Sequence, residues 1–352
     1  MKKIHLISPD INLDYLISLT DNTGLLQHSK FSTALKREGY TTDDNSRALS
    51  VCLFYDKLYH GSKTKKLIDT YLSFLLYMQT ENGQMHNFLG YNREFLDEPT
   101  DEECIGRTIL ACGHCLNSNI NLNKKAIAKE IFDKALPWTS YFKSPRAIAQ
   151  VIMGLSCYKK NHQEDKNLDI RIRELTSRLI DLFNAQKSEN WTWFEPYLTY
   201  ANGRLSQSLF SAYSSIGKSS YLKTAIDTLN FLIKVQFIDG IFVPIGNKGW
   251  YRRGKKRAIF DQQPIEASCM VEATATAFEI TGKDEYKEMA YRIFQWFLGK
   301  NNKGLMLYDP ETGGCYDGLS SNGLNMNQGA EAILSYLTAR LRLESIEHNN
   351  EL

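Results

Sequence analysis

The sequence predicts an all-α protein, an (α/α)6 toroid in which six helical hairpins form an inner and an outer ring within one domain, residues 1–352. Three observations predict it. A polar turn recurs with a period of about 56 residues. An amphipathic helical run precedes each turn, and a run richer in small residues follows it. The start of each second run gathers acids, amides or arginines.

The turns come first. Asp21-Asn22-Thr23-Gly24-Leu25, Gln79-Thr80-Glu81-Asn82-Gly83, Gln186-Lys187-Ser188-Glu189-Asn190-Trp191, Gln236-Phe237-Ile238-Asp239-Gly240 and Asn301-Asn302-Lys303-Gly304 share one polar-to-extended pattern. The interval of 107 from Gly83 to Asn190 leaves room for a sixth, shortened copy at 138–145. The runs 67–78, 172–183, 222–235 and 286–298 place apolar residues at i, i+3, i+4 and i+7, the stripe of an outer helix. The runs 48–59, 107–116, 146–158, 205–216, 267–280 and 330–343 hold more Ala, Ser, Gly and Cys and fewer charges, as inner helices do.

In such a toroid all inner helices start at one end, so their polar entrances converge on one face. The entrances read Thr42-Asp43-Asp44-Asn45-Ser46-Arg47, Asp101-Glu102-Glu103-Cys104-Ile105-Gly106-Arg107, Ser144-Pro145-Arg146, Tyr200-Ala201-Asn202-Gly203-Arg204, Asp261-Gln262-Gln263-Pro264-Ile265-Glu266 and Asn325-Met326-Asn327-Gln328-Gly329-Ala330-Glu331. Helix capping accounts for one such residue per helix. It leaves the other acids and the repeated arginine unexplained, and these point to a functional face.

Composition narrows the partners. Formal net charge is +2, from 42 Lys and Arg against 40 Asp and Glu, which gives no electrostatic case for nucleic acid. The basic run 252–257 reads as a solvated or substrate-facing loop. No stretch of roughly 18 apolar residues spans a membrane. Met1-Lys2-Lys3 meets Asp10 and Asp14 without an apolar core, so no leader and a cytoplasmic location are expected. Seven scattered cysteines read as reduced thiols, and Cys112-Gly113-His114-Cys115 lacks the second pair a metal site wants. No phosphate loop, HExxH or GxSxG occurs, so neither metal nor cofactor is expected. No protein partner is named by the sequence.

The loops before the entrances supply aromatics beside amides and charges, a set suited to a carbohydrate. Substrate-binding candidates are Asp43, Asn45, Arg47, His86, Asn92, Arg93, Glu103, Arg107, Trp193, Arg204, Trp250, Tyr251, Gln262, Gln263, Glu266, Tyr316, Asp317, Asn327 and Gln328. Glycoside hydrolysis needs one protonated and one ionised carboxyl. Glu195, between Phe194 and Pro196 and near two tryptophans, is expected in an apolar setting that raises its pKa, as a general acid requires. Asp44 and Asp261, with amides or arginines nearby, suit a base.

The segments Gly39-Tyr40-Thr41-Thr42-Asp43-Asp44-Asn45-Ser46-Arg47, Asn87-Phe88-Leu89-Gly90-Tyr91-Asn92-Arg93, Trp193-Phe194-Glu195-Pro196, Phe260-Asp261-Gln262-Gln263-Pro264-Ile265-Glu266, Gly313-Gly314-Cys315-Tyr316-Asp317-Gly318 and Asn327-Gln328-Gly329-Ala330-Glu331 together resemble a bacterial group of six-hairpin glycosidase-like proteins. The group is often encoded near glycosyltransferases and mannoside-processing enzymes. The resemblance spans nearly the whole chain. It implies the toroid fold and a sugar-related role, with a short, mannose-containing oligosaccharide as substrate. Ala201 stands where the resemblance leads one to expect an acid.

The expected activity is therefore an inverting, two-carboxylate glycoside hydrolase. A non-catalytic glycan-binding toroid uses the same face without a productive pair. A sugar epimerase wants a histidine pair in the cavity, and only His86 lies near the face. Gln79-x3-Gly83 and Gln236-x3-Gly240 also resemble the turns of terpenoid cyclases, but no Asp-x-Asp-Asp accompanies them.

Overall fold

The computed structural model describes residues 9–61 and 63–348; residues 1–8, on which the expectation of an absent leader partly rests, lie outside them. Helices follow in the order Asp14–Ser18 (α1), Thr42–Tyr59 (α2), Lys63–Met78 (α3), Glu102–Leu116 (α4), Leu122–Ala135 (α5), Pro145–Lys159 (α6), Lys166–Gln186 (α7), Gly203–Ile216 (α8), Ser219–Gln236 (α9), Pro264–Thr281 (α10), Asp284–Phe294 (α11) and Ala330–His348 (α12). The even-numbered helices pack each on the next, and α12 on α2 closes the ring. The odd-numbered helices lie outside, α1 against α12. The chain is an (α/α)6 toroid.

Five of the inner helices start earlier than residue type predicts, by six residues in α2 and five in α4, while α12 starts at Ala330 as expected. In α2, α4 and α6 the capping side chain sits one position before the helix. Thr41 accepts the amide of Asp44 at 3.1 Å, Asp101 that of Glu103 at 2.8 Å, and Ser144 that of Ala147 at 3.3 Å. Most of the charges of these entrances are thus inside the first turns, where capping makes no use of them.

The five clear polar turns fold back on themselves through antiparallel bridges, including Thr20 with Leu25, Gln79 with Met85 and Leu298 with Met306. Gly83 has φ +91°, and a Cβ there would lie 1.9 Å from the Lys134 carbonyl, so this turn tolerates no other residue. The Gln79 amide donates to the carbonyl of Ile131 at 2.9 Å, which gives the cyclase-like glutamine a structural use.

Helices α4 and α6 touch backbone to backbone. A Cβ on Gly113 would meet the Gly154 carbonyl at 2.5 Å. That contact explains the glycine of Cys112-Gly113-His114-Cys115, whose two cysteines are buried in the core. All seven cysteines are free thiols. Among the described residues no helix is long and apolar enough to cross a membrane.

Candidate functional site

Five of the six inner helices place a charge at their second residue: Asp43, Glu103, Arg146, Arg204 and Glu331, with Ile265 the exception. Because the helices are equivalent around the ring, these charges gather at one end of it. They sort into two sectors.

The first sector joins α2, α4 and α12. Arg47 binds Glu331 at 2.9 Å and reaches Asp44 at 3.4 Å. Arg107 pairs with Asp43 and, at 3.1 Å, with Glu103. Tyr200 donates its hydroxyl to Glu103 at 2.6 Å, and Ser144 donates to the same oxygen at 3.1 Å. Four carboxyls thus share two guanidinium groups. Asp44 carries the consequence. Burial pushes its pKa up to about 6 against the pull of Arg47, and the charges of Glu331 and Asp43 push the same way. Thr41 holds its Oδ2 at 2.8 Å. Asp43, ion-paired through Oδ2, leaves Oδ1 buried with no partner, an acceptor aimed at nothing in the protein.

The second sector corrects the expectation for Glu195. Phe194 and Trp193 are fully buried beside it, as the sequence implied, but its carboxylate turns to Arg146 at 3.0 Å. Arg146 also donates to Thr199 Oγ1 and the Tyr200 carbonyl, both at 2.6 Å, and lies over the Tyr200 ring. Glu195 is therefore a clamped ion-pair partner, not a carboxyl in an apolar pocket.

Glu266 is wholly buried. Its carboxyl accepts the backbone N–H of Ala201 and, at 2.9 Å, the side chain of Asn202, and burial pushes its pKa up to about 7. It holds the loop before α8 and is closed to substrate. Ala201 meets Glu266 through its peptide, so an acid at that position has no part in this contact.

Arg204 binds Glu272 at 2.7 Å and Gln207 at 2.8 Å, within the lumen. They border a cavity of about 1220 Å³ that opens at the opposite, C-terminal ends of the inner helices. His114 lines it too, bonded to Ser50 at 3.0 Å, its pKa lowered to about 3 by burial and by nearby Arg204, Lys160 and Arg342.

Asp261 sits half-buried just before α10, and its carboxylate accepts no hydrogen bond among the described residues. Other candidates are occupied by structure. Asn45 is buried, exchanging bonds with the backbone of Leu25 and Thr41. Gln262 accepts from Trp296 at 2.8 Å and donates to Asn302 at 2.9 Å. Gln328 is pinned to Thr312 and Asp309, both at 2.8 Å. Trp193 is core, packed on Phe194 and Phe231. These four are corrections: Asn45, Gln262 and Gln328 spend their amides within the protein, and Trp193, its Nε1 unpartnered, is sealed in the core.

The remaining candidates lie nearer the surface. Asn92 and Arg93 form an exposed turn, bonded to Glu94 and Thr23. His86 donates its Nδ1–H to the Asp97 backbone carbonyl at 2.8 Å and stacks on Phe95. Trp250 and Tyr251 are half-buried, against Tyr200 and Trp191. Gln263 occupies the position before α10 without capping it. Asp317 accepts the Gly329 amide at 2.6 Å, Asn327 the Phe31 amide at 3.0 Å, and Tyr316 reaches Asp309 at 3.4 Å. Sequence reasoning left Ser144, Arg146, Tyr200 and Glu331 out of its candidate set. The signal that finds three of them is position: Arg146 and Glu331 are second residues of their helices, and Ser144 caps the helix that Arg146 opens.

No family model matches this chain, and no curated protein matches it. Solved structures do. A sugar epimerase from a ruminal bacterium superposes with a TM-score of 0.74 at 13% identity, covering 96% of this chain and 95% of its own. Cellobiose 2-epimerase from Bacillus thermoamylovorans gives 0.70 at 16%, covering 96% of each. An inactive variant of an α-1,6-mannanase from a Salegentibacter species, two adjacent aspartates replaced by alanine and α-1,6-mannotetrose bound, gives 0.67 at 11%, covering 94% of this chain and 96% of its own. The fold is that of the six-hairpin glycosidase-like toroids.

Proposed function

We propose that this protein is a glycoside hydrolase acting on a short oligosaccharide, mannose-containing by preference, with its reaction centre at Asp43–Asp44. The carrying observation is the pairing of two unlike carboxyls at the start of α2. Asp44 is buried with a pKa raised to about 6, so it holds its proton to higher pH than an ordinary aspartate. Asp43 is ion-paired to Arg107 and keeps one oxygen free. A two-carboxyl mechanism uses that asymmetry: Asp44 protonates the leaving glycosidic oxygen, and the Asp43 carboxylate, its side chain 20% exposed, takes a proton from the attacking water. Arg47, Arg107, Glu103 and Glu331 bind sugar hydroxyls around them, and Asp261 contributes a further unpaired carboxylate from the loop before α10. Glu195 braces Arg146 and the Tyr200 loop. The mannanase among the similar structures supports this reading, because its inactive form lacks two neighbouring aspartates.

The epimerases among the similar structures favour a second reading, reversal of configuration at a sugar carbon. It wants two histidines at the site. Among the described residues His86 is engaged by Phe95 and Asp97, and His114 lies in the lumen with its pKa lowered to about 3.

The deciding experiment is a sugar-release screen on mannosides, glucosides and N-acetylhexosaminides with wild type, Asp44→Asn, Asp43→Asn, Asp261→Asn and Glu195→Gln. Release by wild type that is abolished in both α2 variants supports the assignment. Release that survives both sinks it. Conversion of a sugar to its epimer without any hydrolysis product moves the protein to the second reading.

A further inference from the structure

Asp44 has an apolar neighbour that the charge network does not use. The strand Tyr40–Thr41, which leads into α2, pairs antiparallel with Phe88–Leu89, with Thr41 opposite Phe88 and Tyr40 opposite Leu89. The chain then turns back, so that Leu89 bridges Phe95 and the Leu96 amide donates to the Phe88 carbonyl at 3.0 Å. Directly opposed residues of an antiparallel pair project from the same face, with Cβ atoms about 5 Å apart. Thr41, Phe88 and Leu96 therefore share one face of this small ribbon, and Tyr40, Leu89 and Phe95 share the other.

The two faces have different fates. Tyr40 and Leu89 are buried, and Phe95, although 42% exposed, has its ring engaged by His86 at 4.1 Å and Tyr77 at 5.4 Å. On the other face Thr41 turns its hydroxyl onto Asp44. Beside it Phe88 is 41% and Leu96 62% exposed, and neither takes part in an aromatic contact. The ribbon is held firmly. Asp97 accepts the amides of Asn87 at 2.8 Å and Phe88 at 3.1 Å, and Asn87 accepts those of Thr42 at 2.8 Å and Asp43 at 3.2 Å. An apolar pair is thus fixed to water beside the carboxyls of α2, at a cost in exposed area that folding does not recover.

We propose that Phe88, with Leu96 beside it, is the stacking platform for the sugar ring whose glycosidic oxygen meets Asp44. The inference rests on the hydrolase reading above. A pyranose offers C–H bonds on its face and hydroxyls at its edge. The Phe88 ring matches the first, and the carboxylates and guanidinium groups of α2, α4 and α12 match the second. The Asn87 bonds couple the platform to the backbone of Thr42 and Asp43, so ring and carboxyls keep one spacing.

The test uses the full chain with manno-oligosaccharides of two to four units. Phe88→Ala is expected to raise KM about tenfold, the equivalent of about 1.4 kcal/mol, and to leave kcat unchanged, with Phe88→Tyr restoring the wild-type KM. Calorimetric affinity measured in an Asp44→Asn background falls by the same factor for Phe88→Ala. Equal KM and affinity in wild type and Phe88→Ala, with sugar still bound and cleaved, overturn the platform and leave the hydrolase reading standing. A fall in kcat alone overturns it as well. So does a change in oligomeric state on sedimentation with sugar affinity intact, which makes the patch a protein interface. A wild type that neither binds nor cleaves any glycoside removes the hydrolase reading, and the platform with it.

Discussion

Asp44 and Glu266 occupy the third residue of α2 and of α10, and burial raises the pKa of both, to about 6 and about 7. Their surroundings separate them. Glu266 is sealed, each oxygen taken by a donor of the Ala201–Asn202 loop. Asp44 keeps 10% of its side chain open, beside Asp43 with an unpartnered oxygen and Glu331 with 42% open. One helical position therefore serves two ends. A perturbed carboxyl marks burial; access and an unlike neighbour make it a reaction centre.

The largest expected effect follows from that difference. Asp44→Asn removes the transferable proton and keeps the shape. Sugar release should fall roughly 10²–10⁴-fold, while the thermal midpoint stays close to wild type. Glu266→Ala should do the reverse. It strands the Ala201 amide and the Asn202 side chain in a dry interior and should cost roughly 2–4 kcal/mol in denaturant unfolding. The activity per folded molecule should change far less than in Asp44→Asn. If Glu266→Ala is stable but inactive, the two carboxyls have the opposite roles.

This division was only half visible in the sequence. The repeated turn and the paired helical runs announced the toroid, because a hairpin must bury one stripe and close with a tight polar turn whatever it does. The entrances announced a charged face for the same reason. Residue type alone did not separate groups that serve the backbone from groups that face a ligand. Asn45, Gln262 and Gln328 look like ligand amides, yet their partners Leu25, Trp296 and Asp309 come from other turns of the chain. Glu195 has an apolar sequence neighbourhood, but Arg146, 49 positions away, sets its electrostatics. Helix register was the unused signal, since second-position charges recur where capping has no need of them.

The comparison also has a pH form, of opposite consequence for the two groups. Glu266 holds its proton to about 7 when folded and loses it near 4.5 when unfolded. The folded state binds more protons across that window, so stability falls as pH rises from 4.5 to 7, by up to on the order of 3 kcal/mol. Asp44 adds a similar loss between 3.8 and about 6, which leaves the interval from 6 to 7 to Glu266. Glu266→Gln should flatten denaturant midpoints in that interval and leave the lower one sloping. Activity reads Asp44 instead. With Asp44 as proton donor, kcat/KM should decline tenfold per pH unit above about 6, and Glu266→Gln should leave that limb in place.

The smallest effect is the sharpest on the neighbours of Asp44. Glu331 raises its pKa and Arg47 lowers it. Glu331→Gln removes a like charge and frees Arg47 to close on Asp44, two changes of one sign, so the high-pH limb should move to lower pH. Arg47→Gln removes the opposing cation, and the limb should move to higher pH. Both charges are partly exposed and screened by salt, so each displacement should amount to a fewfold change in kcat/KM at pH 6.5 and shrink at high ionic strength. Opposite displacements tie the limb to Asp44, since only a group between these two charges responds to them with opposite signs. Displacements of the same sign, or none, assign the titrating group elsewhere on the face, and Asp261 is then the carboxyl to substitute.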